Sequence, residues 1–136
     1  MIAWEAFIAS SGSASSQADL PRVLVIDHDV EAAGAVASLI ETSGHGEARV
    51  AHSGQEALAL AATFLPTVVL LKLDLPDMSG YDVARQLSQY PRLQNPRLIA
   101  LSGSSEHPGR DRAREAGFER YLIAPPGTAD LEELFA

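Results

Sequence analysis

The sequence predicts a doubly wound α/β domain, a five-stranded parallel sheet with helices on both faces. Two observations carry that expectation. From Arg22 onward, short runs rich in β-branched and aliphatic residues alternate with segments of helical periodicity. The central runs are also almost continuously apolar, as strands buried on both faces must be. A chain of 136 residues suffices for one such domain with its own core.

Taken in order, residues 1–20 form an extension unlike the rest. Trp4, Phe7 and Ile8 recur at helical spacing in an apolar start, and Ser10 to Gln17 is a Ser-rich flexible stretch. The start lacks the basic residues and long apolar run of a signal peptide. It reads either as a tail or linker remnant, or as a docking helix whose Trp4, Phe7 and Ile8 contact a partner or a second copy. Residues 21–136 form the domain proper. Val23 to Ile26, Val68 to Leu71, Leu98 to Leu101 and Tyr121 to Ile123 read as buried strands, and the more polar Glu47 to Ala51 as an edge strand.

Helix boundaries are marked by residue chemistry. Asp29, Ser53, Ser79 and Thr128 are N-cap candidates, and Ser53 with Glu56 spells a capping box. Pro108 suits a first helical turn. Leu58, Ala61, Ala62 and Leu65 fall at i, i+3, i+4 and i+7, an apolar stripe for the second helix. Gly44 and Gly117 stand where helices should stop. The segment near Arg110 to Ala116 is nearly all polar and is expected to hold the sheet weakly.

The formal net charge of -8 repels phosphate backbones and anionic headgroups, so nucleic acid and membrane surfaces are not expected partners and a protein is. No cysteine is present, which excludes disulfides and thiolate chemistry and fits a reducing cytoplasm. No apolar run has the length of a membrane span. Of the ten basic residues nine are Arg, and Lys72 is the single lysine. In open parallel sheets, function gathers beyond the carboxyl ends of the strands, at the switch in strand order. That rule nominates Asp27, His28, Asp29, Lys72, Asp74, Ser102 and Ala124.

Three stretches together resemble the receiver domains of response regulators: Val23 to Asp29 (VLVIDHD), Val68 to Gly80 (VVLLKLDLPDMSG) and Leu98 to Gly103 (LIALSG). A fourth, Ala116 to Pro125, falls at the family's spacing. The resemblance runs from about Pro21 to the C-terminus, and it implies a flavodoxin-like fold of strand order 2-1-3-4-5. It also implies aspartyl phosphorylation, which needs an acceptor Asp, an acidic pair holding Mg²⁺, a hydroxyl and a lysine.

Matched position by position, Asp27 is the first acidic residue, and His28 stands where a second acidic metal ligand is usual. Lys72 takes the phosphoacceptor position, Ser102 keeps the hydroxyl, Tyr121 keeps the switch aromatic, and Ala124 replaces the lysine before Pro125. An amine cannot form the acyl phosphate. The family's three carboxylates and one lysine sum to about -2, whereas Asp27 and Lys72 sum to roughly zero. The expectation is a pseudo-receiver with a degenerate site, no catalytic residue, no metal and no cofactor. It would be a cytoplasmic module, not an enzyme, that binds a histidine kinase, an output domain, another regulator or itself.

Other readings of the same residues remain. Asp74 is a substitute phosphoacceptor, which would make the chain an atypical phosphorelay receiver, or a variable rim residue. His28 is a metal ligand, a phosphohistidine or a polar loop residue. Lys72 forms a Schiff base or an ion pair with Asp27, with Ser102 or Asp74 as further acceptors. The crevice around Lys72 and Ser102 also suits a small-molecule sensor. Arg110, Arg112 and Arg114 form a solvated, ion-paired helix face or a partner contact, and the bond before Pro125 is cis or trans.

Overall fold

A computed structural model describes residues 20–103 and 107–136, with side chains described throughout except at 107 and 108. The extension carrying Trp4, Phe7 and Ile8 lies outside the described residues. Strands and helices alternate strictly: β1 (Arg22–Ile26), α1 (Val30–Thr42), β2 (Glu47–Ala51), α2 (Gly54–Phe64), β3 (Val68–Lys72), α3 (Gly80–Gln89), β4 (Arg97–Ser102), α4 (His107–Glu115), β5 (Arg120–Ile123) and α5 (Thr128–Leu134). The five strands pair in the order β2-β1-β3-β4-β5, all parallel. This is the predicted doubly wound, flavodoxin-like sheet, with its switch point between β1 and β3.

Strand alternation divides the core into two layers. Leu24, Ile26, Val69, Leu71, Leu98 and Ala100 face α2, α3 and α4, while Val23, Val25, Val68, Leu70, Ile99 and Leu101 face α1 and α5. Both sets are buried. Burying each large aliphatic is worth roughly 1.5 to 3 kcal/mol, so the three inner strands anchor the domain. On the second layer Leu131 and Leu134 of the short α5 are buried, and Phe135 stacks on His45 with ring centroids 5.0 Å apart.

The helix boundaries follow side-chain chemistry, with instructive differences. Asp29 Oδ1 accepts from the backbone N–H groups of Glu31 and Ala32, both at 3.1 Å, and Gly44 ends α1 at φ 77°. Ser53 Oγ accepts from Glu56 N–H at 3.1 Å, but Glu56 reaches back one residue further than a capping box requires, to His52 N–H at 2.7 Å. Thr128 is not the cap of α5. That position is Gly127, whose N–H donates to Asp130 Oδ2 at 2.9 Å.

Two packing expectations are corrected. The buried line of α2 is Gly54, Ala57 and Ala61; of the expected stripe Ala61 lies on it, Leu58 and Leu65 pack half-buried against the same core, and Ala62 is half-buried. Small residues face inward because α2 packs at once against β1, β2 and α3. β5 is not buried on both faces, because it pairs with β4 alone and is an outer strand. Its residues are half-buried up to Ile123, which is 40% exposed. The polar α4 explains part of this, since of its described side chains only Ala113 is buried. The outer strand is held instead at its start, where the Arg97 guanidinium forks onto Glu119 and also donates to Leu134 O at 3.1 Å. The fork holds the Glu119 carboxyl below its ordinary range.

Candidate functional site

β1 and β3 deliver Asp27 and Lys72 side by side at the carboxyl end of the sheet. Asp27 continues the β1 line, donating its N–H to Ala51 O at 3.0 Å, and its Oδ1 accepts from Asp29 N–H at 3.0 Å. Lys72 Nζ lies 3.9 Å from the same oxygen, with the lysine and aspartate side chains 18% and 6% exposed. That distance exceeds a hydrogen bond, so the attraction is through space. His28 Nδ1 approaches Asp27 Oδ1 to 3.8 Å from the solvent side, and the His52 ring contacts Asp27 O at 3.1 Å. A cleft of about 230 Å³ opens here, walled by Asp27, Asp29, Lys72, Ala124, Pro125 and Pro126. The Ala124–Pro125 bond is cis, and Ala124 N–H donates to Ser102 O at 2.8 Å.

Mg²⁺, which the resemblance brings with it, does not fit this donor set. It demands near-octahedral oxygen ligands at about 2.0 to 2.1 Å. Asp29 is engaged as the cap of α1, an ammonium stands by Asp27, and among the described residues no three His, Asp or Glu side chains converge on one point.

The sequence treated the crevice as one site, and the structure divides it. Asp74, Ser102 and Tyr121 line a second cleft of about 470 Å³ together with Ser79, Tyr81 and Arg112. Asp74 is held at its rim by a bridge to Ser79. Lys72 and Asp74, two residues apart, therefore serve different clefts. The three arginines of α4 also separate. Arg110 lies over the Tyr121 ring at 5.2 Å, Arg112 over Tyr81 at 4.3 Å, and Arg114 pairs with Asp111 at 2.8 Å. Of the three, Arg114 alone shows a carboxylate partner among the described residues; a spacing of two residues turns Arg112 to the other side of the helix, whereas Arg110 shares the Arg114 face and turns to the Tyr121 ring instead.

One residue of the Val68 to Gly80 stretch has a role that the sequence reading did not assign. Asp77, exposed in the β3–α3 turn, accepts from Gly54 N–H at 2.9 Å and Gln55 N–H at 3.0 Å, so it caps α2 from another segment. Those bonds, that from Gly54 first, hold its carboxyl below the usual range. The turn closes on Gly80, where a Cβ would come within 2.8 Å of Leu73 Cα and 2.9 Å of Lys72 O.

Comparison with known proteins agrees with this geometry. The chain is 34% identical over 87 residues to the polar-differentiation response regulator DivK of Brucella ovis, covering 64% of this chain and 70% of that protein. It is 31% identical over 104 residues to the response regulator PleD of Caulobacter vibrioides, covering 76% of this chain but 23% of PleD. A response regulator receiver domain (CheY-like) from Methylobacillus flagellatus superposes with a TM-score of 0.76 at 30% identity, over 85% of this chain and 96% of that one. Vibrio cholerae chemotaxis protein CheY4 shares the fold at a TM-score of 0.78 and 19% identity, over 85% and 95%. The response regulator receiver domain family matches residues 23–136. This chain belongs to that family, the receiver domains of two-component signalling.

Proposed function

We propose that this receiver domain works without phosphorylation, as a protein-interaction module in two-component signalling. The observation that carries the reading is the ammonium of Lys72, 3.9 Å from Asp27 Oδ1, in the space where the family's reaction needs a nucleophilic carboxylate and a metal. Ala124, on the same cleft, offers no cation to a phosphoryl oxygen. Asp74 supports no substitute reaction, since it opens to the neighbouring cleft. On this reading the module is not an enzyme, takes no cofactor and acts in the cytoplasm. It docks a histidine kinase, an output domain, another regulator or a second copy.

Incubation with acetyl phosphate and Mg²⁺, followed by intact-mass measurement, tests the reading beside a receiver that carries the acceptor aspartate. The expected result is a phosphoryl adduct on the control and none on this chain. An adduct mapping to Asp74 or His28 would overturn it.

A further inference from the structure

Arg22 opens β1 at the pole opposite Asp27. Its Nε donates to Leu65 O at 2.8 Å, and its backbone N–H donates to Thr67 Oγ1 at 3.0 Å. The guanidinium is thus anchored by one N–H, while its terminal Nη groups have no acceptor among the described residues. Arg92, in the connection from α3 to β4, is exposed and likewise has no acceptor among them. Both arginines line one cleft of about 270 Å³ with an apolar wall of Leu65, Pro66 and Leu93 and the amide of Gln94 at its rim. Among the described residues, no Asp or Glu lines it.

That combination is unusual in this chain. Acidic side chains outnumber basic ones 18 to 10, and Arg49, Arg85, Arg97, Arg114 and Arg120 each pair with a carboxylate. Two guanidinium groups sharing a cleft that no carboxylate of the described residues lines are therefore not explained by a shortage of acids. Guanidinium forks match oxyanions that present two oxygens, and an apolar wall strengthens such contacts by limiting water. We propose that this cleft is an anion site, taking a group with at least two negative oxygens between Arg22 and Arg92. The anion comes either from a free oxyanion such as a diphosphate or from acidic side chains of a protein segment. The site is independent of the Lys72 crevice, at the other end of the strands.

NMR titration of the full ¹⁵N-labelled chain at low salt, once with pyrophosphate and once with a short oligoglutamate peptide, tests the proposal. Saturable shifts should centre on the amides of Thr67, Leu93 and Gln94 while those of Asp27 and Ser102 stay still. Saturation by pyrophosphate identifies a free oxyanion as the source, and saturation by the peptide alone identifies a protein segment. Arg92→Gln should weaken binding roughly tenfold or more, the scale of a lost charge-assisted contact. Arg22→Gln should do the same, and because Arg22 also holds Leu65 O, the exposed Arg92 gives the deciding variant if the other unfolds. No saturation with either probe, unchanged affinity in Arg92→Gln, or shifts centred on Asp27 and Lys72 would each overturn the proposal.

Discussion

The turn from Leu73 to Gly80 and the crevice of Asp27, Lys72 and Ala124 meet at the end of β3, yet different forces hold them. The turn is fixed by short directional bonds. Gly80 N–H donates to Leu73 O at 3.0 Å, Ser79 Oγ accepts from Tyr81 N–H at 3.1 Å, and Asp77 binds two N–H groups of α2. In the crevice the side chains meet across longer gaps: the Lys72 ammonium and the His28 ring stand 3.9 and 3.8 Å from Asp27 Oδ1, whose one short bond among the described residues comes from the backbone N–H of Asp29. Directional bonds specify a backbone path, whereas through-space attraction tolerates exchange of the groups that supply it. The comparison teaches that the chemistry of a crevice can change while the turn beside it keeps its form.

The largest expected effect tests the rigid side of that contrast. Gly80→Ala drives a Cβ into the backbone of Leu73 and Lys72, and overpacking of that kind costs roughly 2 to 3 kcal/mol. Urea unfolding should show the loss as a lower midpoint at unchanged slope. A change below about 0.5 kcal/mol, the range of neutral surface substitutions, would mean that the turn is as pliable as the crevice.

A smaller effect is expected in the crevice. Lys72→Met leaves the Asp27 carboxylate with a backbone N–H and a solvent-exposed histidine as its near neighbours, and stranding a fully buried charge costs about 3 to 5 kcal/mol. The pair is long and Lys72 partly wet, so a loss of roughly 1 to 2 kcal/mol is expected here. Adding Asp27→Asn should recover part of it, the coupling being read from a double-mutant cycle. Zero coupling would make Lys72 a side chain that snorkels to water.

How far the sequence foretold these regions depends on the range of each interaction. The three inner strands were legible because burial on both faces writes a continuous apolar run, as in Val68 to Leu71. Asp29 and Ser53 were legible because a cap and its helix are neighbours in the chain. The bond from Asp77 to Gly54 spans 23 residues, and no local pattern encodes such a pairing. β5 misled for a related reason: Tyr121, Leu122 and Ile123 have the composition of an inner strand, but exposure is set by the position beside β4 and by the polar α4. In the crevice, the nominated residues do lie at the strand ends, while its division into two clefts depends on where side chains turn after β3. The separation of Lys72 from Asp74 could not be read from their spacing.

The smallest expected effect lies where the turn meets α2, and it is seen through pH. Asp77 is exposed, so its removal should shift the unfolding midpoint only slightly at neutral pH. Its carboxyl titrates below its ordinary value of 3.8 because the N–H groups of Gly54 and Gln55 stabilise the charged form. A carboxyl whose folded pKa is depressed contributes stability that is complete above the unfolded pKa and is lost as pH falls through the folded one. The loss therefore begins near pH 4 and continues below it, in the acid window of about pH 5 to 2. Glu119, lowered by Arg97, titrates in the same window, but it is present in both Asp77→Asn and the parent protein and cancels in their difference. Denaturation midpoints measured across that window should converge as pH falls, because the parent loses a contribution that the amide never had. Parallel curves would show that Asp77 holds α2 by hydrogen bonding alone, with its charge contributing nothing to the bond between turn and helix.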